Sequence, residues 1–305
     1  MTESRKPPLP LFPLAVATLL VGLAVAAAFW PDPARERADG TLLVLLPDGD
    51  PRREDVLEDL AAALGAAAAL DLHVHPVRTA EAFHAAADHA LVAIVPDGLA
   101  LSLPSDRWQA LATGRRRVPW NLRPSAVLVS RTSAAATATP WRSAPTRTVF
   151  GDSLSLVCLA PLCEAGDGPD RRAGVVWGDD PYDHRGVLLA ARYGAFDHAI
   201  VRQWDAETAR TAGWLPASRW RITRISDPVP DIVALAARRL PTASRMELQR
   251  ALSVIGRQLD ARDERDHGLE TGLGLLGLDG FNLLLGPDFE QVRRRYRACW
   301  PAPAE

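Results

Sequence analysis

Lysine is almost missing from this chain of 305 residues: Lys6 is the only one among 35 basic residues, the rest being arginine. That bias reads as high genomic GC, not as chemistry. The basic residues face 37 acidic ones, for a net charge of −2, and no aromatic-basic face accompanies Arg115-Arg116-Arg117 or Arg293-Arg294-Arg295. A nucleic-acid partner is thereby excluded, and both triplets read as solvated. Cysteine is scarce too. Cys158, Cys163 and Cys299 contain no CxxC pair, which removes the usual zinc signature, and at least one of the three must stay outside a disulfide. Cys158 and Cys163 are separated by Pro161, and their pairing stays open. No repeat of fixed period is present, so the chain is not a solenoid.

Charge is absent altogether between Leu9 and Trp30. As a helix rising about 1.5 Å per residue, that run can cross a bilayer core of about 30 Å. Arg5 and Lys6 precede it, Trp30 stands where an interfacial aromatic would, and Pro31-Asp32-Pro33 ends it. Positive residues on the leading side predict a single-pass inner-membrane anchor with the body of the protein in the periplasm. Ala24-Val25-Ala26 offers the small residues of a cleavage site, so secretion to the periplasm after signal cleavage is the alternative. Residues 1–40 are thus a cytoplasmic tip, a transmembrane helix over 9–30 and a short linker.

The rest, in a chain that is 48% hydrophobic and 24% charged, has room for two lobes. Thr41 to Leu46 is apolar without alternation, as in a strand buried on both faces of a parallel sheet. Val56, Leu57, Leu60 and Leu64 give Arg53 to Ala69 a helical period, and Leu70 to Val77 alternates as a strand. Thr79 caps a helix running to His89, and Ala90 to Val95 is a strand ending in the turn Pro96-Asp97-Gly98. This β-α-β-α-β order predicts a parallel sheet with ligands at the carboxyl ends of its strands. Beyond an arginine-rich loop the plan repeats. Strands are expected at Ala126 to Ser130, Gly174 to Trp177, Phe196 to Val201 and Trp220 to Ile225, with helices at His184 to Tyr193, Pro241 to Leu259 and Phe289 to Trp300. The predicted class is α/β, with each lobe a mostly parallel sheet flanked by helices.

Thr148 to Cys163, TVFGDSLSLVCLAPLC, is the most informative stretch. Thr148-Val149-Phe150 reads as a strand, Gly151-Asp152-Ser153 as a turn, and Leu154 onward as a helix that Pro161 interrupts. The unpaired N–H groups and positive dipole of a helix start would hold an oxyanion at Ser153 to Val157 without a cation. Ser155 reads equally well as a helix cap. The letters GDSLS match the nucleophile block of GDSL hydrolases, but their mid-chain position is wrong. Near the C-terminus only Asp263-Glu264-Arg265-Asp266-His267 approaches the required Asp-x-x-His partner, so the protein is read as not an enzyme. His73, His75, His84 and His89 do not supply three or four converging donors, and neither metal nor cofactor is expected.

Six segments share one further property. They are VLLPDGDP near the start, SAVLVSRTS at 125–133, FGDSLS at 150–155, the unit from His184 to Asp197 followed by AIV, DPVPDIVA at 227–234 and LGLDGFNLLLGPDFEQVRR at 276–294. In order and spacing they resemble the substrate-binding proteins of phosphate/phosphite/phosphonate ABC transporters, a family of type 2 periplasmic binding proteins. The resemblance implies two lobes, one at 41–125 with 228–305 and the other at 126–227, crossing near Val127 and Ile225 and closing on a ligand. It puts the family's phosphonate-binding Ser-Thr-Ser run on Ser155-Leu156-Val157, its turn proline on Ser153 and its oxyanion-binding histidine on His184. The carboxylate that takes a ligand amine falls on Trp204, a second acidic position on Asp231, and an aromatic after the third strand on Asp97 with Gly98.

Two hydroxyls are lost at Leu156 and Val157. Each charge-assisted hydrogen bond is worth about 1.5–3 kcal/mol, so phosphonate affinity would fall by orders of magnitude. His184 also reads as a surface residue at a helix start, Trp204 as a pocket wall or a core residue, and Asp231 as a cap or a hinge salt bridge. The resemblance implies a membrane-anchored, extracytoplasmic solute-binding protein for a small anion such as phosphonate, phosphite or phosphate, feeding an ABC permease. Its alternative is the same fold without oxyanion binding, acting as an adaptor, sensor or accessory subunit of a membrane complex.

Overall fold

Apolar runs too short for helices and bounded by turns make the strands, and leucine-spaced stretches between them make the helices. The computed structural model describes residues 38–46, 51–115, 124–133, 147–164, 176–255, 264–284 and 286–296. The first part runs β1 (Ala38–Leu45), α1 (Pro51–Ala68), β2 (Leu70–Val77), α2 (Ala80–Ala87), β3 (Val92–Pro96), α3 (Asp97–Ser102) and β4 (Trp108–Arg115). The second runs β5 (Ala126–Arg131), β6 (Thr148–Phe150), α4 (Leu156–Glu164), β7 (Val176–Trp177), α5 (Arg185–Arg192), β8 (His198–Arg202), α6 (Gln203–Thr211) and β9 (Trp220–Arg224). The chain then returns through β10 (Ile232–Ala237), α7 (Thr242–Val254), α8 (Glu264–Leu275), β11 (Gly280–Leu283) and α9 (Gly286–Tyr296).

Two sheets result, ordered β11-β4-β10-β3-β1-β2 and β7-β6-β8-β5-β9. Without β11 they have one plan, in which the strand that has just arrived from the other sheet, β10 or β5, inserts between the third and the last. That insertion corrects the expectation of mostly parallel sheets. β1 pairs parallel with β2 and β3, and β6 with β7 and β8. β10 is antiparallel to β3 and β4, β11 to β4, and β5 to β8 and β9. A strand entering from the far sheet comes in from the opposite end, so both sheets are mixed.

Other readings also change. Pro96-Asp97-Gly98 is no turn, because Asp97 and Gly98 open α3. Pro161 stands inside α4, which continues through it at the loss of one backbone bond. Cys158 and Cys163 are not joined to each other. The arginine-rich loop begins as β4, whose Ala and Gly content carries little strand propensity. The run at 9–30 lies outside the described residues, among which no helix is long and apolar enough to cross a membrane.

Three apolar clusters make the core. One packs the first sheet against α1 and α7 through Leu42, Leu60 and Leu252; another lies under the second sheet with Val129, Leu188 and Leu215. The third is shared: Leu43, Val95, Leu99 and Leu235 of the first part meet Leu128, Phe150 and Ile200 of the second, with α4 as the wedge. Every residue from Leu156 to Leu162 is buried. Each leucine so placed contributes about 1.5–3 kcal/mol, and residues 38–305 form one unit. Leu159→Ala should therefore lower unfolding free energy by about 2–5 kcal/mol while parent and variant both unfold in one urea transition by tryptophan fluorescence. Two transitions would show that the shared cluster does not couple the sheets.

Candidate functional site

The carboxyl ends of the strands converge on a buried polar cluster. Asp97 follows β3, Asp152 follows β6, Arg202 ends β8 and Asp231 precedes β10; with Ser155 and His184 they are at most 2% exposed, and Asp205 is 6% exposed. Asp152 Oδ1 accepts from the N–H groups of Leu154 at 2.7 Å and Ser155 at 2.6 Å. Asp97, from the other sheet, takes the next one: the Leu156 N–H donates to Asp97 Oδ1 at 2.7 Å. The Asp97 N–H in turn donates to the Asp231 carbonyl at 2.6 Å. Arg202 Nε donates to Asp231 Oδ1 at 2.8 Å, and its Nη1 to the Tyr182 carbonyl at 3.1 Å.

His184 joins the two halves of this network. Its Nδ1 accepts the Arg202 N–H at 3.3 Å, which leaves the proton on Nε2 to be donated to Asp152 Oδ2 at 2.9 Å. Asp205 Oδ2 lies 3.5 Å from both His184 Nδ1 and Arg202 Nη1. Only glycine fits at 151, because a Cβ there would collide with the His184 ring.

Electrostatically the cluster holds four carboxyl groups against one guanidinium and one imidazole. Burial opposes ionisation of Asp152, but the hydrogen bond from His184, the charge of Arg202 and the Leu154 amide outweigh it and hold the carboxyl below the usual range. Burial, then the charge of Asp231, push Asp97 well above it. Burial also works against the charge on Arg202, yet Asp231, Asp205 and Asp152 keep the guanidinium protonated. Asp97 Oδ2, Ser155 Oγ and Arg202 Nη2 are buried without a hydrogen-bond partner among the described residues.

Asp152, Cys158 and His184 bring donor atoms within 4.8 Å of one another. The Asp152–His184 hydrogen bond accounts for that convergence. Burial pushes the Cys158 thiol well up, so it stays protonated and offers no thiolate to a metal or a substrate.

No family model matches the sequence, and no curated protein matches it. Solved structures do. A Xanthomonas citri protein bound to ATP aligns at TM-score 0.61 and 12% identity, over 87% of this chain and 100% of that one. PhnD1 from Prochlorococcus marinus, in complex with methylphosphonate, aligns at 0.57 and 15% identity, over 84% and 97%. A binding protein component of an ABC phosphonate transporter from Pseudomonas aeruginosa aligns at 0.56 and 10% identity, over 88% and 91%. The fold is that of the periplasmic binding proteins.

Within this binding-protein fold the residues singled out from sequence divide. Ser155, His184, Asp97 and Asp231 belong to the buried cluster, whereas Ser153 is exposed. Leu156 and Val157 turn their side chains into the shared apolar core; only the Leu156 amide faces the cluster. Trp204 is buried at 5% exposure beside Arg202, whose guanidinium lies 5.9 Å from the ring centre. The carboxyl sought at that position is one residue on, at Asp205. Sequence reasoning missed Asp152, Arg202 and Asp205. A charged residue closing the apolar run His198-Ala199-Ile200-Val201-Arg202 was the available signal.

Two outcomes follow from the cluster. An ordinary aspartate titrates near 3.9, so the stability tied to protonated Asp97 is complete below about pH 4 and is lost as pH rises toward its raised folded value. Asp97→Asn keeps an acceptor for the Leu156 N–H and should melt above the parent at pH 8 but level with it at pH 4; a parent that melts higher at pH 8 contradicts the direction. Arg202→Met breaks a buried pair whose side chains are 0% and 1% exposed, and should cost about 3–5 kcal/mol in urea unfolding. Adding Asp231→Leu should recover most of that loss.

Proposed function

We propose that this chain is an extracytoplasmic domain of periplasmic-binding-protein fold that does not capture an oxyanion. It serves as an adaptor, sensor or accessory subunit of a membrane complex, tethered through the run at 9–30. One observation carries the reading: the helix-start amides that would hold an anion are taken by the protein's own carboxyl groups, Asp152 on Leu154 and Ser155, and Asp97 on Leu156. An entering oxyanion would have to displace Asp97 and sit among further carboxylates. At about 4 Å and an effective dielectric near 20, each like-charge pair opposes it by about 4 kcal/mol, more than one charge-assisted hydrogen bond returns. The role is binding without turnover, since both ring nitrogens of His184 are engaged and the Cys158 thiol stays protonated.

The second reading is capture of a small solute for an ABC permease. It is favoured by the buried, unpartnered Ser155 Oγ and Arg202 Nη2, polar atoms that a ligand would satisfy, and by methylphosphonate in the Prochlorococcus protein. Calorimetric titration of the full-length chain with phosphate, phosphite, methylphosphonate, aminoethylphosphonate and sulfate separates the two. No heat of binding up to millimolar concentration is expected. Micromolar binding of any of them, abolished by Ser155→Ala, would establish the solute receptor instead.

A further inference from the structure

At the far side of the second sheet from this cluster's carboxyl-end position, the ends of β5, α5 and β9 surround a cavity of about 500 Å³ lined by Arg131, Arg192, Arg219, Tyr193, Trp214 and Trp220. Its three arginines are exposed, and no acidic residue lines it. The Arg131 guanidinium lies 5.4 Å from the centre of the Trp220 ring and that of Arg192 5.8 Å from Tyr193, which is 80% exposed. Among the described residues no carboxylate pairs with any of the three. Some surface arginines elsewhere are paired with carboxylates, among them Arg107 with Asp88, Arg210 with Glu207, Arg250 with Glu247 and Arg295 with Asp227. In a chain of net charge −2, this hollow is a local reversal of sign.

The adjoining strand is open as well. β9 ends the order β7-β6-β8-β5-β9, and among the described residues it pairs with β5 alone. Exposed Arg221 and Thr223 follow Trp220 along it. An edge strand with unpaired backbone groups is a template for another strand; charged side chains on it guard against indiscriminate pairing, and a strand of opposite charge lifts that barrier. Trp, Tyr and Arg are also the residue types that dominate binding energy at protein interfaces.

We propose that the open edge of β9 and the hollow at its start form a docking site for an acidic segment of a partner protein. The segment adds to β9 as a further strand and seats a carboxylate side chain among Arg131, Arg192 and Arg219, with Trp214 and Trp220 as the apolar wall. Desolvated on one side by the rings, the guanidiniums of Arg131 and Arg192 bind a carboxylate more strongly than they would in open water. The site uses the second sheet only, so it stands whether or not the buried cluster takes a solute.

The test uses the full-length chain and fluorescein-labelled peptides of about ten residues, followed by fluorescence polarisation. One alternates Glu and Val, a second has Lys for Glu, and a third is the Glu peptide N-methylated on alternate amides. The Glu peptide should bind saturably and weaken as salt is raised, while the Lys and N-methylated peptides fail to bind. The Arg131→Ala/Arg219→Ala double variant should lose about tenfold or more in affinity and Tyr193→Ala several-fold; Arg250→Ala, a paired surface arginine elsewhere, should change nothing. Absence of saturable binding, equal binding of the Lys peptide, or an unchanged double variant each overturns the proposal. Displacement of the Glu peptide by micromolar inorganic phosphate overturns it in favour of a small-anion site.

Discussion

The hydrogen bond from the Leu156 N–H to the Asp97 carboxyl is the contact on which the rest of this structure turns. It ties the first turn of α4, in the second part of the chain, to the start of α3 in the first, and it does so at the point where a helix offers its free amides. Once Asp97 is there, Asp231 must lie beside it, because the Asp97 N–H needs the Asp231 carbonyl. Arg202 then has to reach across to hold Asp231, and His184 has to orient the Arg202 backbone and Asp152 together. Each buried polar group in the chain of contacts is affordable only because its neighbour is in place.

Apolar packing fixes the same arrangement from the other side. Leu156 and Val157, which stand where the resembling family has hydroxyls, are not merely missing ligands; they are part of the core that joins the sheets. Tyr182 does likewise from the loop before α5, its ring buried within the cluster under the first sheet. The polar network and the apolar wedge therefore favour the same relation between the sheets.

How much of this the sequence disclosed depends on the range of the interaction. A strand that alternates, such as Leu70–Val77, one that runs apolar, such as Ala126–Arg131, and a capped helix such as Ala80–Ala87 behind Thr79 are local facts and were legible as such. β4 and α6 were not, since small residues in one and charged residues in the other hide the period, and both are set by what they pack against. The mixed direction of the sheets was invisible because it comes from the insertion of β5 and β10, a long-range event. At the site, the spacing that pointed to His184 and Asp231 was readable. That Asp152 and Arg202 would face them was not, as those contacts span 32 and 29 residues of sequence.

The common strand plan of the two sheets has a last consequence. β3 and β8 each pair with the inserted strand of their sheet, and Pro96 and Arg202, opposite the first residues of β10 and β5, occupy equivalent places. The next residue in each opens a helix, and the amides of both, Asp97 and Gln203, donate to the carbonyl just before the inserted strand, that of Asp231 and that of Ser125. Two halves built to one design thus start a helix with the same backbone contact, and only the first sets a carboxyl there, within reach of the Leu156 amide of the second.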